Sequence, residues 1–278
     1  MEFKNTRVMN FENAMRGLRN PLESWEKSDS VYCIAYELPY EVDNVIQKWI
    51  LKEEDLTEKE LFYNDEKYDK LFNKYFDWLS DIGTLYENDD CTEIFFIGPN
   101  DLELAQRMIK AGTSDRKFLR QIMVSVDITA PLYWWKEFDT YKVGTAANST
   151  STMHKLASTP ITRDCFEMGD FDKDLMMYEK EPYNPDMYMS EFWNMFINDL
   201  ENLRQKYNET KDQRYWKELI RLLPEGWLQT RTVTMNYENL KNMYAQRKHH
   251  RLVEWHTFCD WVKTLPYAYE FITFDLDK

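Results

Sequence analysis

Residues 221–254 read RLLPEGWLQTRTVTMNYENLKNMYAQRKHHRLVE and contain the strongest structural signals of this chain of 278 residues. Residues 228–235 are rich in Thr and Val, which predicts a β-strand. Asn236 follows as a favoured N-cap residue and opens the last predicted helix. Pro224 ends the helix predicted before the strand. The stretch therefore predicts a helix, a strand and a long C-terminal helix in succession.

The long helix has an apolar stripe and, beside it, a more polar one. Apolar residues recur at helical spacing and predict the buried face, which consists of Leu240, Tyr244, Leu252, Trp255, Cys259 and Val262. Arg247 and His250 fall on the adjoining stripe, between Met243 and Glu254. We therefore expect these two side chains at the border between core and surface.

The densest basic cluster of the chain lies on this helix, where residues 247–251 read RKHHR. The formal net charge of the whole chain is −14 at pH 7. A local cluster in such an acidic protein favours an anion site, because the planar fork of an Arg suits phosphate oxygens. The pattern is also typical of a solvated basic helix face, and composition does not separate the two interpretations.

A second polar constellation, DTYKVGTAANSTSTMHKL, spans residues 139–156. It is rich in hydroxyls and small residues, and Gly144 is one of only 7 glycines in the chain. Backbone amides and hydroxyls of such a loop suit a nucleotide phosphate or a flavin edge. An ordinary polar loop between two elements has the same composition, so both interpretations stay open.

The rest of the chain mixes strands and helices without regular βαβ alternation, which favours an α+β fold. Strands are predicted at 31–38, 93–98 and 122–128, and helices at 101–112, 131–141, 190–207 and 212–223. Asp101 is expected to cap the first of these helices.

We interpret residues 1–278 as a single α+β domain. Residues 52–91 form a polar, acidic segment within it, a helical arm or an insertion. Apolar residues at helical spacing predict an amphipathic helix there, namely Leu61, Tyr68, Phe72, Phe76 and Leu79.

Composition excludes several classes of function. The acidic balance argues against nonspecific nucleic-acid binding, which needs a basic surface. No apolar run reaches the length of a membrane span, and no leader-like segment opens the chain, so we expect a cytoplasmic protein without a membrane partner. No nucleotide-binding glycine motif occurs. The 4 cysteines and 4 histidines lack metal-ligand spacing, so no metal site is predicted.

Two segments together resemble the flavin-dependent thymidylate synthase family. In the C-terminal half, Leu223-Pro224 is followed at the family's spacing by Thr234, Asn236, Leu240, Asn242 and Arg247. Residues 130–138, APLYWWKEF, resemble the element that precedes the family's RHR signature, and Thr150 stands at the spacing of the Ser that follows it.

The resemblance implies a central, mostly antiparallel sheet flanked by helices, with a long C-terminal helix. It implies reductive methylation of dUMP to dTMP by reduced FAD, with NADPH and methylenetetrahydrofolate as co-substrates, in a homotetramer. By position, the cofactor-binding candidates are Asn236, Asn242, Tyr141, Lys142, His250 and Arg251. The substrate-binding candidates are Arg247, Arg221, Asn148, Thr150, Ser151 and Thr152. No catalytic side chain is assigned, since the family uses no Cys nucleophile.

The chain also departs from the family pattern. Both arginines of the signature are missing, Tyr141 replaces its His, and Lys142 keeps the only positive charge. In the loop that follows, Asn148 and Thr152 replace a Glu and an Arg. Three functions therefore remain open: a divergent flavin-dependent thymidylate synthase, a related flavoenzyme that modifies another pyrimidine nucleotide, and a non-catalytic, oligomeric nucleotide-binding protein on the same fold.

Overall fold

The computed structural model describes residues 1–34, 40–62, 65–87, 92–178 and 186–276. Contacts within the chain divide it into two units. Unit 1 consists of Met1–Glu2, Asp127–Thr140 and Ala147–Thr232, and unit 2 of Phe3–Val126, Tyr141–Ala146 and Val233–Lys278. The interpretation as a single domain, with 52–91 as an arm or insertion, stays a prediction.

The described residues form nine strands and eleven α-helices. The strands are β1 (Glu2–Met9), β2 (Val31–Ile34), β3 (Thr84–Glu87), β4 (Thr92–Phe96), β5 (Met123–Pro131), β6 (Ala146–Ser149), β7 (Met176–Tyr178), β8 (Met187–Tyr188) and β9 (Leu228–Asn236). The helices are α1 (Phe11–Arg19), α2 (Tyr40–Glu53), α3 (Glu58–Phe62), α4 (Asp65–Gly83), α5 (Pro99–Ala111), α6 (Leu132–Phe138), α7 (Thr152–Lys155), α8 (Met189–Thr210), α9 (Gln213–Leu222), α10 (Tyr237–Arg247) and α11 (Val253–Lys263). None of the helices in the described ranges is long and apolar enough to cross a membrane.

The predicted mixture of strands and helices is confirmed, and with it the α+β class. The strands β1, β5, β9 and β6 form a four-stranded sheet in that order. Along β5 buried residues alternate with half-buried ones, as expected for a strand with one face on a core. The predicted strand at 31–38 is present over Val31–Ile34, and 35–38 lie outside the described residues.

The predicted long C-terminal helix is interrupted. Helix α10 ends at Arg247 and α11 begins at Val253. Between them the backbone N–H of Leu252 donates to Nδ1 of His250 (3.2 Å), and the N–H of His250 donates to the Arg247 carbonyl (2.9 Å). A side-chain acceptor thus replaces the carbonyl that would have continued the helix.

Unit 2 contains an antiparallel three-stranded sheet in the order β2-β4-β3. Tyr267 joins the end of the chain to this sheet, because its buried hydroxyl donates to the Phe95 carbonyl (2.5 Å) and accepts from the N–H of Ile97 (2.9 Å). The helix predicted in the acidic segment is confirmed over α4, which carries Tyr68, Phe72, Phe76 and the buried Leu79. Leu61 lies in α3, and residues 63–64 lie outside the described residues.

Helix α5 is capped differently from the prediction. It begins at Pro99, and the carboxylate of Asp29 accepts from the N–H groups of Asn100 (3.0 Å) and Asp101 (3.1 Å). The prediction that Asp101 is the cap was wrong, because a distant carboxylate already occupies the helix N-terminus. Burial is the largest cause of a raised pKa at Asp29, although both backbone bonds oppose it.

Unit 1 has a hydrophobic core of its own, built by α8, α9 and the segment before them. Its buried members are Leu156, Ile161, Phe166, Ile197, Leu200 and Leu219. At its border the Glu201 carboxylate accepts from the Arg204 guanidinium (2.5 and 2.7 Å) and from the N–H of Ile161 (2.8 Å). These donors, Arg204 first, lower the pKa of Glu201 to about 2.

Glu201→Gln is expected to reduce stability at neutral pH but not in strong acid. The folded-state pKa of Glu201 lies below its ordinary value of 4.5, so its stabilising contribution is complete above that pH and is lost as the pH falls toward 2. We expect a loss of about 1–2 kcal/mol in the free energy of unfolding at neutral pH. Urea denaturation across a pH series measures it; Glu218→Gln, an exposed partner of Arg221, is the control. A difference that persists undiminished at pH 2 would contradict the assignment.

Candidate functional site

The predicted site residues Tyr141 and Arg247 meet in unit 2. Nε of Arg247 donates to the Tyr141 hydroxyl (2.8 Å), and that hydroxyl lies 3.0 Å from Oε1 of Gln246, to which it donates. The two partners are 106 positions apart in the chain. Both side chains are half-buried, so the hydrogen bond between them lies at the border of the core, as the helix pattern predicted for Arg247.

Aromatic rings surround the Arg247 guanidinium. Its central carbon lies 4.7 Å from the centroid of Trp255, which is fully buried, and 5.5 Å from the centroid of Tyr141. The faces of aromatic rings attract a guanidinium and restrict its orientation. Arg247 is therefore a cation held in a fixed direction rather than a freely solvated one.

The loop that carries Tyr141 is attached to the start of α10. Nδ2 of Asn239 donates to the Val143 carbonyl (2.7 Å). Gly144 has φ of +79°, and a Cβ there would lie 3.0 Å from Oδ1 of Asn239. The left-handed conformation and the close approach together favour glycine at this position. The loop therefore has a defined position against the helix N-terminus.

Asn236 is the N-cap of α10, as predicted from its sequence context. Its Oδ1 accepts from the N–H of Asn239 (2.9 Å), and Oδ1 of Asn239 accepts from the N–H of Asn236 (3.2 Å). This reciprocal capping box fixes the orientation of the Asn236 side-chain amide. Its amide nitrogen is the donor that a contact with a flavin could use.

The remaining cofactor candidates of unit 2 all carry N–H groups and are called the donor set: Lys142, Asn242, His250 and Arg251. Asn242 is half-buried on α10, while Lys142 and Arg251 are exposed. Nδ1 of His250 accepts from the N–H of Leu252, which places the proton of the neutral ring on Nε2. Two cations and neutral N–H donors match the anionic diphosphate and the polar ring edge of FAD, so these residues fit the cofactor chemically.

Residues 148–152, called the hydroxyl-rich turn, lie in unit 1. The N–H of Thr150 donates to the Thr230 carbonyl (2.9 Å), and Nε2 of Gln229 donates to the Thr150 carbonyl (3.0 Å) and to Oγ1 of Thr152 (3.3 Å). Ser151 caps the short helix α7 by accepting from the N–H of His154 (3.2 Å). The turn is therefore ordered by β9, and Asn148 and Thr150 are exposed on it.

Sequence reasoning missed Arg231 on β9. Its side chain is 15% exposed, and its guanidinium lies 4.2 Å from the centroid of Trp135. Nη1 donates to Oδ1 of Asp139 (2.7 Å), and Nε donates to Oε1 of Gln229 (3.0 Å). The available signal was an Arg within a strand of Thr and Val residues, because a charged side chain in such a strand is rarely buried without a partner.

Arg221, the other arginine expected to contact substrate, lies on the exposed side of α9 in unit 1. It forms an ion pair with Glu218, one turn earlier on the same helix. Within the described residues, its hydrogen bond is to Glu218 and not to the hydroxyl-rich turn. Its role in substrate binding stays a prediction.

No family model matches the chain, and no curated protein matches its sequence. Among solved structures, the chain is similar to the flavin-dependent thymidylate synthase of Helicobacter pylori complexed with FAD and dUMP, with a TM-score of 0.54 over 100% of both chains at 13% identity. A second structure of thymidylate synthase X from that organism, also with FAD and dUMP, gives the same values. A UMP/dUMP methylase from Streptomyces cacaoi bound with 5-Br UMP has a TM-score of 0.44 at 12% identity, over 63% of this chain and 83% of its own. The first two similarities establish the fold.

Proposed function

We propose that this protein is a flavin-dependent thymidylate synthase-like enzyme that methylates dUMP with methylenetetrahydrofolate, FAD and NADPH. The observation that carries the proposal is the hydrogen bond between Arg247 and Tyr141. The sequence resemblance assigned these two residues to the substrate and to the cofactor, respectively. Their direct contact in the fold supports a shared site for both.

Arg247 is the substrate anchor of this proposal. Aromatic rings fix the plane of its guanidinium, so a cation of defined orientation faces an anionic nucleotide. Tyr141 orients it through the 2.8 Å bond. A donor that is already in place stabilises negative charge on the substrate more than a mobile one.

The FAD would be held by the donor set of unit 2, Lys142, Asn242, His250 and Arg251. When bound and reduced, it supplies the hydride of the reaction. Tyr141 stands in place of the signature's His and introduces a hydroxyl at this position. Its partners Arg247 and Gln246 fix the direction of that hydroxyl. We expect a homotetramer, as in the family that the sequence resembles.

A related pyrimidine nucleotide is the second candidate substrate. The turn at 148–152 carries amide and hydroxyl groups where the family has a Glu and an Arg, and Gln229 orders it. A turn without these charged groups contacts a nucleotide through hydrogen bonds alone, which favours a pyrimidine nucleotide other than dUMP.

Arg247→Met is expected to lower the rate of dUMP methylation about 10²–10³-fold, because it removes a preorganised donor from a partly dry site. Tritium release from 5-labelled dUMP, with FAD, NADPH and methylenetetrahydrofolate present, measures this rate. The Met side chain retains most of the apolar stem, so the contact with Trp255 is largely preserved.

Arg214→Met is the matched control, because Arg214 is 88% exposed. The rate of tritium release by this variant should stay within twofold of the wild-type rate, a change of about 0.4 kcal/mol. A colourless protein that FAD cannot reconstitute would overturn the flavoenzyme proposal. A protein that binds FAD and dUMP but releases no tritium would instead favour the second substrate, which competition by UMP and other pyrimidine nucleotides would then identify.

A further inference from the structure

Arg231 is a firmly positioned cation of unit 1. Its guanidinium lies over the ring of Trp135, which is itself buried and donates through Nε1 to the Gln229 carbonyl (2.9 Å). Gln229 also accepts from Nε of Arg231. The platform and the side chain above it are thus tied to the same strand residue, which fixes the plane of the guanidinium.

The partners of Arg231 leave one end of its fork available. Its hydrogen bonds within the described residues use Nε and Nη1, so the two N–H groups of Nη2 have no acceptor in that part of the chain. Asp139, the acceptor of Nη1, is 50% exposed. An ion pair with such an exposed carboxylate contributes little free energy, so another anion can replace it at low cost.

The hydroxyl-rich turn is coupled to the same side chain. Gln229 accepts from Arg231 through Oε1 and donates through Nε2 to Thr150 and Thr152. One amide therefore connects a fixed cation to a turn with exposed hydroxyls at Ser149 and Thr150. Cation and hydroxyl donors on a rigid support are the chemistry that recognises phosphate oxygens.

We propose that Arg231 binds a phosphate group. In the absence of phosphate, the Asp139 carboxylate pairs with the guanidinium, and the phosphate displaces it on binding. The phosphate chemistry follows from Arg231 and its partners alone. Its source, the phosphate of dUMP or the diphosphate of FAD, rests on the proposed function. The family resemblance had suggested a substrate contact for Arg221, and the inference adds Arg231 as a phosphate contact.

The test is calorimetric titration of the full chain with dUMP, FAD and inorganic pyrophosphate. Arg231→Met is expected to weaken one of these about 10- to 100-fold through loss of a charged donor. Arg214→Met is the matched control, an arginine of the same unit in an exposed ion pair, and should leave all three affinities unchanged. Asp139→Asn should tighten phosphate binding about threefold by removing the competing anion.

The pattern of results separates the possibilities. Weaker dUMP binding with unchanged FAD binding makes the nucleotide the source, and the reverse makes it the flavin. Equal affinities in Arg231→Met and Arg214→Met would overturn the inference. If Arg231→Met does not fold, the phosphate affinity of Asp139→Asn is the test. Unchanged or weaker phosphate binding by that variant would contradict the displacement of Asp139 by phosphate. Wild-type protein that binds pyrophosphate through Arg231 but neither dUMP nor FAD would contradict the proposed function and leave the phosphate site standing, while failure to bind all three overturns both.

Discussion

Arg19→Met is expected to lower the free energy of unfolding by about 3–5 kcal/mol, because it leaves a buried carboxylate without its cation. Nε of Arg19 donates to Oδ1 of Asp101 (2.6 Å), with side-chain exposures of 6% and 0%. The other oxygen of Asp101 accepts from the hydroxyls of Ser28 and Ser30, both at 2.6 Å. Met fills a similar volume, so the loss measures the charge rather than a cavity. Urea denaturation followed by circular dichroism gives the free energy.

The control for this substitution is Lys52→Met. Lys52 pairs with Glu103 in unit 2 as well, but the two side chains are 42% and 69% exposed. Exposed pairs contribute about 0–1 kcal/mol, so we expect a small effect. Comparable losses in the two variants would mean that Asp101 keeps its charge stabilised by Ser28 and Ser30 alone.

The same network shows which parts of the fold the sequence could predict. Asn236 was predicted as a cap because its capping box involves only the next turn of chain. Asp101 was predicted as a cap by the same logic, yet Asp29, 72 positions earlier, caps that helix. Gly98 makes the approach possible, because a Cβ there would lie 2.3 Å from Cγ of Asp29. A cap within one turn of the helix can be predicted from adjacent residues, whereas a cap by a carboxylate far away in the sequence cannot.

The break after α10 has a similar explanation. Helical periodicity runs through residues 240–262 without interruption, so the pattern predicts one helix. The bond from Leu252 to the His250 ring replaces one helical hydrogen bond without disturbing the apolar spacing on either side. Side-chain acceptors that compete with the backbone are therefore invisible to a periodicity argument.

In each unit, an arginine of the described residues lies against a buried tryptophan. In unit 2 the pair is Arg247 and Trp255 at 4.7 Å, and in unit 1 it is Arg231 and Trp135 at 4.2 Å. Sequence spacing found Arg247, because it stands at a fixed distance from Asn236 and Asn242 on one helix. It missed Arg231, because its platform and its counter-ion come from a distant segment, and strand periodicity alone does not bring them together.

Leu219→Ala is expected to destabilise unit 1 by about 2–5 kcal/mol, through lost burial and the cavity that remains. Leu219 is fully buried at the centre of α9, in the cluster that includes Leu200 and Phe166. Since this core uses residues of unit 1, the loss should appear in the fluorescence of Trp193 and Trp227, which pack against it. Thermal and urea unfolding with this readout measure the change.

Leu222→Ala in the same helix separates burial from helix propensity. Leu222 is 44% exposed, so its truncation removes the same atoms from a site that is already partly hydrated. We expect an effect within about 0.5 kcal/mol for this surface substitution. Ala has a helix propensity at least equal to that of Leu, so any difference between the two variants reports the core. Equal effects would show that α9 does not bury Leu219 against α8 as the structure has it.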